Sequence, residues 1–342
     1  GRKASTIHRL LEVDYTGGVV SFIHNDKNLL KCDVVILDEM SMVDVKLFQA
    51  LIAALRYSCR IIMVGDADQL PSVGPGNILG EIIRSGLVPT VCLNEIFRQA
   101  KRSLIVENAH HIISGEPLQK GGKTDDFFFL ESDGDAAQRL VCDLVTTRLP
   151  RSYGFDPIRD IQVLCPTKLG PTGTQALNVE LQNLLNPEQT GKPQLQSAAR
   201  VFRVGDKVMQ IRNNYEKDVF NGDIGRIVKI EGKSVTVGFP ERPEGDYVTY
   251  SQGECEELQL AYAMSVHKSQ GSEYPCVILL MVPSHYIMLQ RNLLYTAVTR
   301  AKAQVLIVGS KRAVLTAVEN DKTRRRHSLL AERLQEDQEV FG

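Results

Sequence analysis

Two short apolar runs in this chain end in acidic and amide side chains, and those endings are where chemistry would be done. Residues Val34 to Met42 read V-V-I-L-D-E-M-S-M, so a β-branched run stops at Asp38 and Glu39. A second run, Ile61 to Val64, stops at G-D-A-D-Q, whose Gln69 lies 31 residues after Asp38. One carboxylate of such a pair can hold Mg²⁺ while the other orients a water, and a neighbouring glutamine can sense the phosphate under attack. The chemistry these residues suit is hydrolysis of a nucleoside triphosphate.

Three further stretches carry groups of the same kind. Asn94 to Gln99 reads N-E-I-F-R-Q, where Arg98 can reach a γ-phosphate and Phe97 can stack on a base. Ala261 to Pro275 reads A-Y-A-M-S-V-H-K-S-Q-G-S-E-Y-P, whose donors Ser265, His267, Lys268, Ser269 and Gln270 suit a phosphodiester backbone. Arg291 to Lys302 reads R-N-L-L-Y-T-A-V-T-R-A-K, a helical pattern with Tyr295 and Arg300 five apart. Arg300 there can stabilise charge developing on a transferring phosphoryl group. Each has a plainer reading alone: an acidic turn, a core Phe97, a surface ion pair at Arg98, a structural His267. Their joint presence favours the chemistry. G-G-K-T at Gly121 to Thr124 imitates the end of a phosphate loop, but Pro117 stands where its first glycine belongs and the flanks are loop-like.

These residues need strands and helices to position them. Four to eight apolar residues bounded by polar turns suit a strand buried on both faces, and in open parallel sheets ligands meet the carboxyl ends of the strands. Ile161 to Cys165, running into P-T-K, and Val305 to Val308, running into G-S-K, repeat the pattern. Helical spacing fills the gaps at Val45 to Leu55, Ile78 to Arg84 and Leu104 to Ser114, the last stopping at Gly115. The alternation predicts α/β architecture with parallel sheets. From about Arg200 to Leu258 the pattern changes to short β-rich runs separated by N-G-D, E-G-K and P-E-R-P-E-G-D turns, which predicts a small antiparallel barrel inserted in the second α/β region. Val13 to Ile23, around Gly17-Gly18, reads as a protruding hairpin. The tail from Thr323 reads as a charged, solvated helix, with a T-R-R-R-H run able to touch nucleic acid.

A chain of 342 residues is long enough for two or three domains. The formal net charge of −1 provides no global basic field, so a nucleic acid would have to be gripped by a local groove. Trp is absent and aromatics are 6%, which leaves few broad stacking surfaces. Seven scattered cysteines without a C-x-x-C argue against a zinc knuckle or disulfide framework and suit a reducing cytosol. No apolar stretch is long enough to span a membrane and no signal peptide is visible, so a cytoplasmic, bacterial-type location is expected.

Taken together, D-E-M-S-M, G-D-A-D-Q-L-P-S-V-G-P-G, I-F-R-Q, H-K-S-Q-G-S-E and L-L-Y-T-A-V-T-R-A-K resemble motifs II to VI of superfamily-1 helicases, closest in wording to the RecD-like group of the 5′→3′ branch. T-I-H-R-L-L from Thr6, L-C-P-T-K-L-G-P-T-G after Val163 and F-N-G-D-I-G from Phe220 are similar to that group too, so the likeness covers nearly the whole chain. It implies two RecA-like parallel-sheet domains with ATP between them, single-stranded DNA across their tops, and an SH3-like barrel inserted in the second. The implied boundaries are 1–95 for a partial first domain with a duplex-splitting pin near 11–30, 96–195 and 259–342 for the second, and 196–258 for the barrel. Carried onto these positions, the likeness gives Asp38 the metal, Glu39 the catalytic water and Gln69 the γ-phosphate. Arg98 and Arg300 become phosphate-contacting arginines, Phe97 packs on the adenine, and Gly271 and Glu273 lie near the ribose. Ser265, His267, Lys268 and Ser269 would face DNA, as would Pro71 and Val73. Implied partners are single-stranded DNA, a duplex with a 5′ tail, and repair or nuclease subunits.

One departure is large. The family's phosphate loop stands upstream of T-I-H-R-L-L, and none lies between Gly1 and Asp38. That loop supplies backbone N–H groups and a lysine to the phosphates. Losing several charge-assisted bonds of about 1.5–3 kcal/mol each costs roughly 10³-fold in affinity. These residues are therefore expected to be a piece of a longer enzyme, inactive toward ATP alone, with a first sheet that has an unfilled slot. An RNA helicase of the same superfamily, or a non-catalytic nucleic-acid-binding subunit, would share most of these residues.

Overall fold

The computed structural model of the protein describes residues 4–14, 21–93, 103–122, 124–197, 200–240, 242–321 and 328–341. The chain divides into two units, residues 1–95 with 322–342, and residues 96–321. In the first, α1 (Ile7–Leu11) starts at Thr6, whose hydroxyl accepts from the Arg9 N–H. A hairpin follows, with β1 (Val13–Asp14) antiparallel to β2 (Ser21–Phe22) and Val13 opposite Phe22. The Gly17-Gly18 turn lies outside the described residues. Next come β3 (Val34–Leu37), α2 (Val45–Ala53), β4 (Arg60–Met63) and α3 (Ile78–Ser85), and the two strands pair in parallel with Leu37 opposite Met63.

Burial on both faces, expected for these strands, does not occur. Val35 and Leu37 enter a core with Leu11, Leu51, Ile78 and Ile82, whereas Ile36 is 67% exposed, and Val34, Ile62 and Val64 are also exposed. The helices supply that core on one face alone, and among the described residues no third strand joins the pair. Among the described residues the first unit is thus a two-stranded parallel pair with helices on one face.

In the second unit α4 (Leu104–Ser114) ends on Gly115 at φ +73°, a left-handed cap that glycine adopts without a Cβ clash. Gly121 and Gly122 follow in a loop that leads into a strand, β5 (Phe127–Glu131), rather than a helix, so G-G-K-T is no phosphate loop. Helix α5 (Gly134–Asp143) runs through a π-helical turn into α6 (Leu149–Tyr153), and β6 (Ile161–Cys165) and α7 (Thr174–Leu185) come next. A short antiparallel pair, β7 (Gln194–Ser197) and β8 (Arg200–Arg203), leads to the insert: β9 (Lys207–Gln210), β10 (Ile224–Glu231), β11 (Ser234–Gly238), β12 (Val248–Ser251) and β13 (Leu258–Leu260). The chain returns through β14 (Ala263–Ser265), β15 (Tyr274–Met281), α8 (Arg291–Val298), β16 (Ala301–Gly309) and α9 (Lys311–Glu319).

The main sheet has the order β14-β6-β15-β16-β5, every pair parallel. Here the branched runs are buried on both faces, as in β6 and most of β15. Because the strands are parallel, the segments beginning at Pro166, Val266 and Val282 all leave from one carboxyl end. The insert is antiparallel in the order β12-β11-β10-β9-β13, and its Val208, Ile227, Val235 and Tyr250 share one apolar cluster with Ile161, Val163 and Ile278 of the main sheet.

The tail does not follow the sequence expectation. Helix α10 (Leu330–Phe341) packs on α3 within the first unit, so it is not merely solvated. The buried carboxylate of Glu81 receives its first turn, accepting from Ser328 Oγ (2.9 Å) and the Leu330 N–H (3.0 Å). The T-R-R-R-H run lies outside the described residues.

Candidate functional site

Strand β3 delivers Asp38 and Glu39 to its carboxyl end, as its pattern implied. Glu39 sits at φ +52°, a left-handed conformation that costs a residue with a Cβ and that clusters at working sites. Its N–H donates to Asp38 Oδ1 at 2.9 Å. The Val64 N–H donates to the Leu37 carbonyl (2.8 Å) and the Met40 N–H to the Val64 carbonyl (3.0 Å), so β3 and β4 end side by side. The segment Gly65 to Gln69 therefore leaves next to the acidic pair. Gln69 Nε2 donates to Asp66 Oδ2 at 3.2 Å, while Gln69 Oε1 is buried with no hydrogen-bond partner among the described residues. An unmet buried acceptor costs about 1–3 kcal/mol, so this oxygen is set to receive a donor such as a water. Among the described residues no three metal-ligating side chains converge. Exposed Asp38 still fits Mg²⁺, an ion usually held by one or two carboxylates with water and phosphate completing its shell.

One residue here escaped sequence reading. Asp44 caps α2, accepting from the Leu47 N–H at 2.8 Å, and also seats the following loop. A Cβ on Gly74 would fall 1.9 Å from Asp44 Oδ2, and the Val45 N–H donates to the Pro75 carbonyl at 3.0 Å. The loop thus presents half-buried Pro71 and exposed Val73, the positions expected to meet DNA. An Asp directly before an apolar-periodic run was the available signal for the cap. His8 of T-I-H-R-L-L lies close by. Burial holds its pKa below the usual value, Asp44 opposes that, and its ring stands 5.8 Å from Phe22 of the hairpin.

Phe97 and Arg98 lie outside the described residues. In the second unit Arg300 is buried, with Nε donating to the Thr296 carbonyl (3.2 Å) and Nη1 to the Ser272 carbonyl (3.3 Å). The guanidinium thereby ties α8 to the 266–273 segment. Exposed Glu273 pairs with Lys302 at 3.0 Å, and Gly271 takes φ +74°. The Tyr274 N–H donates to the Arg300 carbonyl at 2.8 Å, so Arg300 and Glu273 belong to the amino end of β15 and β16.

Ser265 instead ends β14, and His267 and Lys268 follow it at the opposite, carboxyl end. Burial lowers the pKa of both His267 and Lys268, and the nearby Lys168 charge adds to the effect. Lys268 Nζ donates to Asn221 Oδ1 on a turn of the inserted barrel. Ser269 corrects a sequence expectation: it is fully buried and its hydroxyl donates to the Val266 carbonyl at 2.8 Å, so it braces the segment and offers nothing to DNA. Tyr295 lines a cavity of about 260 Å³ with Ile105, Ala109 and Thr299.

Two α/β units, an acidic pair at a strand end in the first and a five-stranded barrel inserted in the second define a helicase fold of tandem RecA-like domains. Residues 177–239 match the profile of the ATP-dependent RecD-like DNA helicase SH3 domain, residues 260–308 the UvrD-like helicase C-terminal domain, and residues 1–75 an AAA domain. The ATP-dependent RecD2 DNA helicase of Deinococcus radiodurans is 37% identical over 330 residues, covering 96% of this chain and 43% of that protein. The RecBCD enzyme subunit RecD of Mycolicibacterium smegmatis is 30% identical over 95% of this chain and 58% of its own length. A Bacteroides Pif1 helicase crystallised with ADP-AlF3 and single-stranded DNA shares the fold, with a TM-score of 0.51 at 17% identity over 98% of this chain and 84% of that one. The sequence is similar to RecD-like helicases across nearly all of its length. It spans about half the length of these curated relatives.

Proposed function

We propose that this chain is motor-core sequence of an ATP-dependent helicase that moves 5′→3′ along single-stranded DNA in the bacterial cytoplasm, serving recombination or repair. The observation that carries the reading is the strained Asp38-Glu39 turn, locked beside an unmet Gln69 Oε1 at the shared end of β3 and β4. In this mechanism Asp38 would hold Mg²⁺, which would neutralise phosphate charge, Glu39 takes the proton of the attacking water, and Gln69 senses the γ-phosphate. Bound ATP supplies the phosphoryl group and the energy of its transfer. Arg98 and Arg300 stabilise charge on that group, Phe97 packs on the base, and Gly271 and Glu273 border the ribose. Repair or nuclease subunits are the partners such a motor would serve.

The test uses the full-length protein, which on this reading carries a phosphate loop upstream of Thr6. DNA-stimulated ATP hydrolysis is expected to fall at least about 100-fold in Glu39→Gln while single-stranded DNA binding persists. Hydrolysis at the wild-type rate in that variant would remove Glu39 from the chemistry. Unwinding of 5′-tailed but not 3′-tailed duplexes checks the polarity, and stimulation by RNA in place of DNA would reassign the track.

A further inference from the structure

The carboxyl end of the main sheet in the second unit carries basic and aromatic side chains together. Lys168 follows β6, His267 and Lys268 follow the neighbouring β14, and Lys168 is close enough to depress the pKa of both. Asn221, on the inserted barrel, bounds this cluster through Lys268. On the other side of β6 runs β15, whose exit segment carries Tyr286 at 71% exposure and Ile287 at 59%; Leu169, beside Lys168, is 72% exposed. Large apolar side chains held in water at a strand end need a reason.

These loops are braced rather than loose. His285, 2% exposed, shares a 3.0 Å hydrogen bond between Nε2 and the hydroxyl of buried Thr172, which pins the exit of β15 to the exit of β6. Thr167 Oγ1 donates to the Leu169 carbonyl at 3.3 Å, and Gly170 takes the turn at φ +88°. The acidic group whose charge acts on His285 is Asp133, which follows β5 at the far edge of the sheet, three strands from β6. Positive charge therefore gathers at the β14–β6 side, with the tyrosine next to it above β15.

We propose that Tyr286, on the segment that also exposes Ile287, is a stacking platform for one base of single-stranded DNA whose phosphates run over Lys168 and Lys268. Cationic side chains that follow a backbone, next to an aromatic face that any base can cover, are how single strands are held without sequence preference. The buried His285–Thr172 bond sets the spacing between platform and cations. The inference rests on the DNA-motor reading and names a contact that its motifs leave out.

The experiment measures binding of a fluorescein-labelled oligo-dT to the 342-residue chain by anisotropy across a salt series. Tyr286→Ala is expected to weaken binding about 5- to 20-fold with an unchanged salt slope, and Tyr286→Trp to restore it. Lys168→Ala is expected to reduce the log–log salt slope by about 0.7, the signature of one lost phosphate contact on a single strand. The exposed position of Tyr286 lets the alanine variant fold, which its thermal transition checks. If the unaltered chain binds oligo-dT and folded Tyr286→Ala binds equally well, the platform is refuted while the motor reading stands. If the unaltered chain binds no single-stranded DNA, the motor reading itself fails.

Discussion

At the residue scale, the side chains assigned to chemistry and those that brace the loops obey different rules. Asp38 and Glu39 could be read from the sequence because an apolar strand gives way to polar residues where it leaves the sheet and a carboxylate can be hydrated. Asp44 was legible only as a helix cap and not as the seat of the Gly74 loop, and the burial of Ser269 is decided by packing that its neighbouring letters do not record. His285 is the clearest test at this scale. Burial dominates and holds its imidazole at a pKa of about 4, against weaker raising influences from the backbone and Asp133. The unfolded chain binds a proton near 6.5, so between these values the unfolded state carries the extra proton and is favoured as pH falls. The contribution is fully present above pH 6.5 and amounts to about 2 kcal/mol lost by pH 5. In His285→Gln the difference in urea-unfolding free energy between pH 7.5 and pH 5 is expected to shrink by that amount. An unchanged difference would mean the imidazole is not held neutral.

At the element scale, the branched runs became strands nearly where their letters changed, and the capped helices started and stopped within about two residues of the expected ends. What sequence periodicity did not reveal was the partner of each face. The outer face of β3 and β4 is apolar and yet exposed, because the helices pack on one side of the pair and nothing among the described residues covers the other. Helix α10 is the converse, a charged tail whose first turn ends on a buried carboxylate some 250 residues earlier in the chain. Glu81 accepts hydrogen bonds from two backbone N–H groups and a hydroxyl there. Glu81→Ala leaves these donors unmet, an effect of about 1–3 kcal/mol. Hydrogen exchange is expected to speed up by ten-fold or more along residues 330–336 in that variant, with β15 unaffected. Retained protection would show that apolar contacts alone dock the helix.

At the scale of the whole molecule, the inserted barrel is not an appendage of the second unit. Its interior is continuous with that of the parallel sheet. The junction is sealed by Asp206, fully buried and accepting from Gln182 Nε2 (2.6 Å), Asn186 Nδ2 (2.6 Å), the Tyr262 hydroxyl (2.9 Å) and the Arg203 N–H (2.7 Å). Burial works to raise its carboxyl above the usual range, and these donors oppose that. Removing one member of such a network strands the others, so Asp206→Ala is expected to cost about 3 kcal/mol. The loss should register in both barrel and sheet, as equal declines in exchange protection at Val235 and Leu279. A decline confined to the barrel would mean that the two fold separately.

The order of α/β, inserted barrel and α/β was determined by sequence alone, as was the identity of the acidic, amide and cationic groups, because hydrophobic periodicity and turn residues are local properties. Only the tertiary structure decided which ends of the sheet these groups occupy. His267 and Glu273 are six residues apart yet belong to opposite ends, while Thr172 and His285 are 113 apart and share a hydrogen bond. Strand order in a parallel sheet is set by crossover packing between distant segments, and no window of neighbouring letters contains that information.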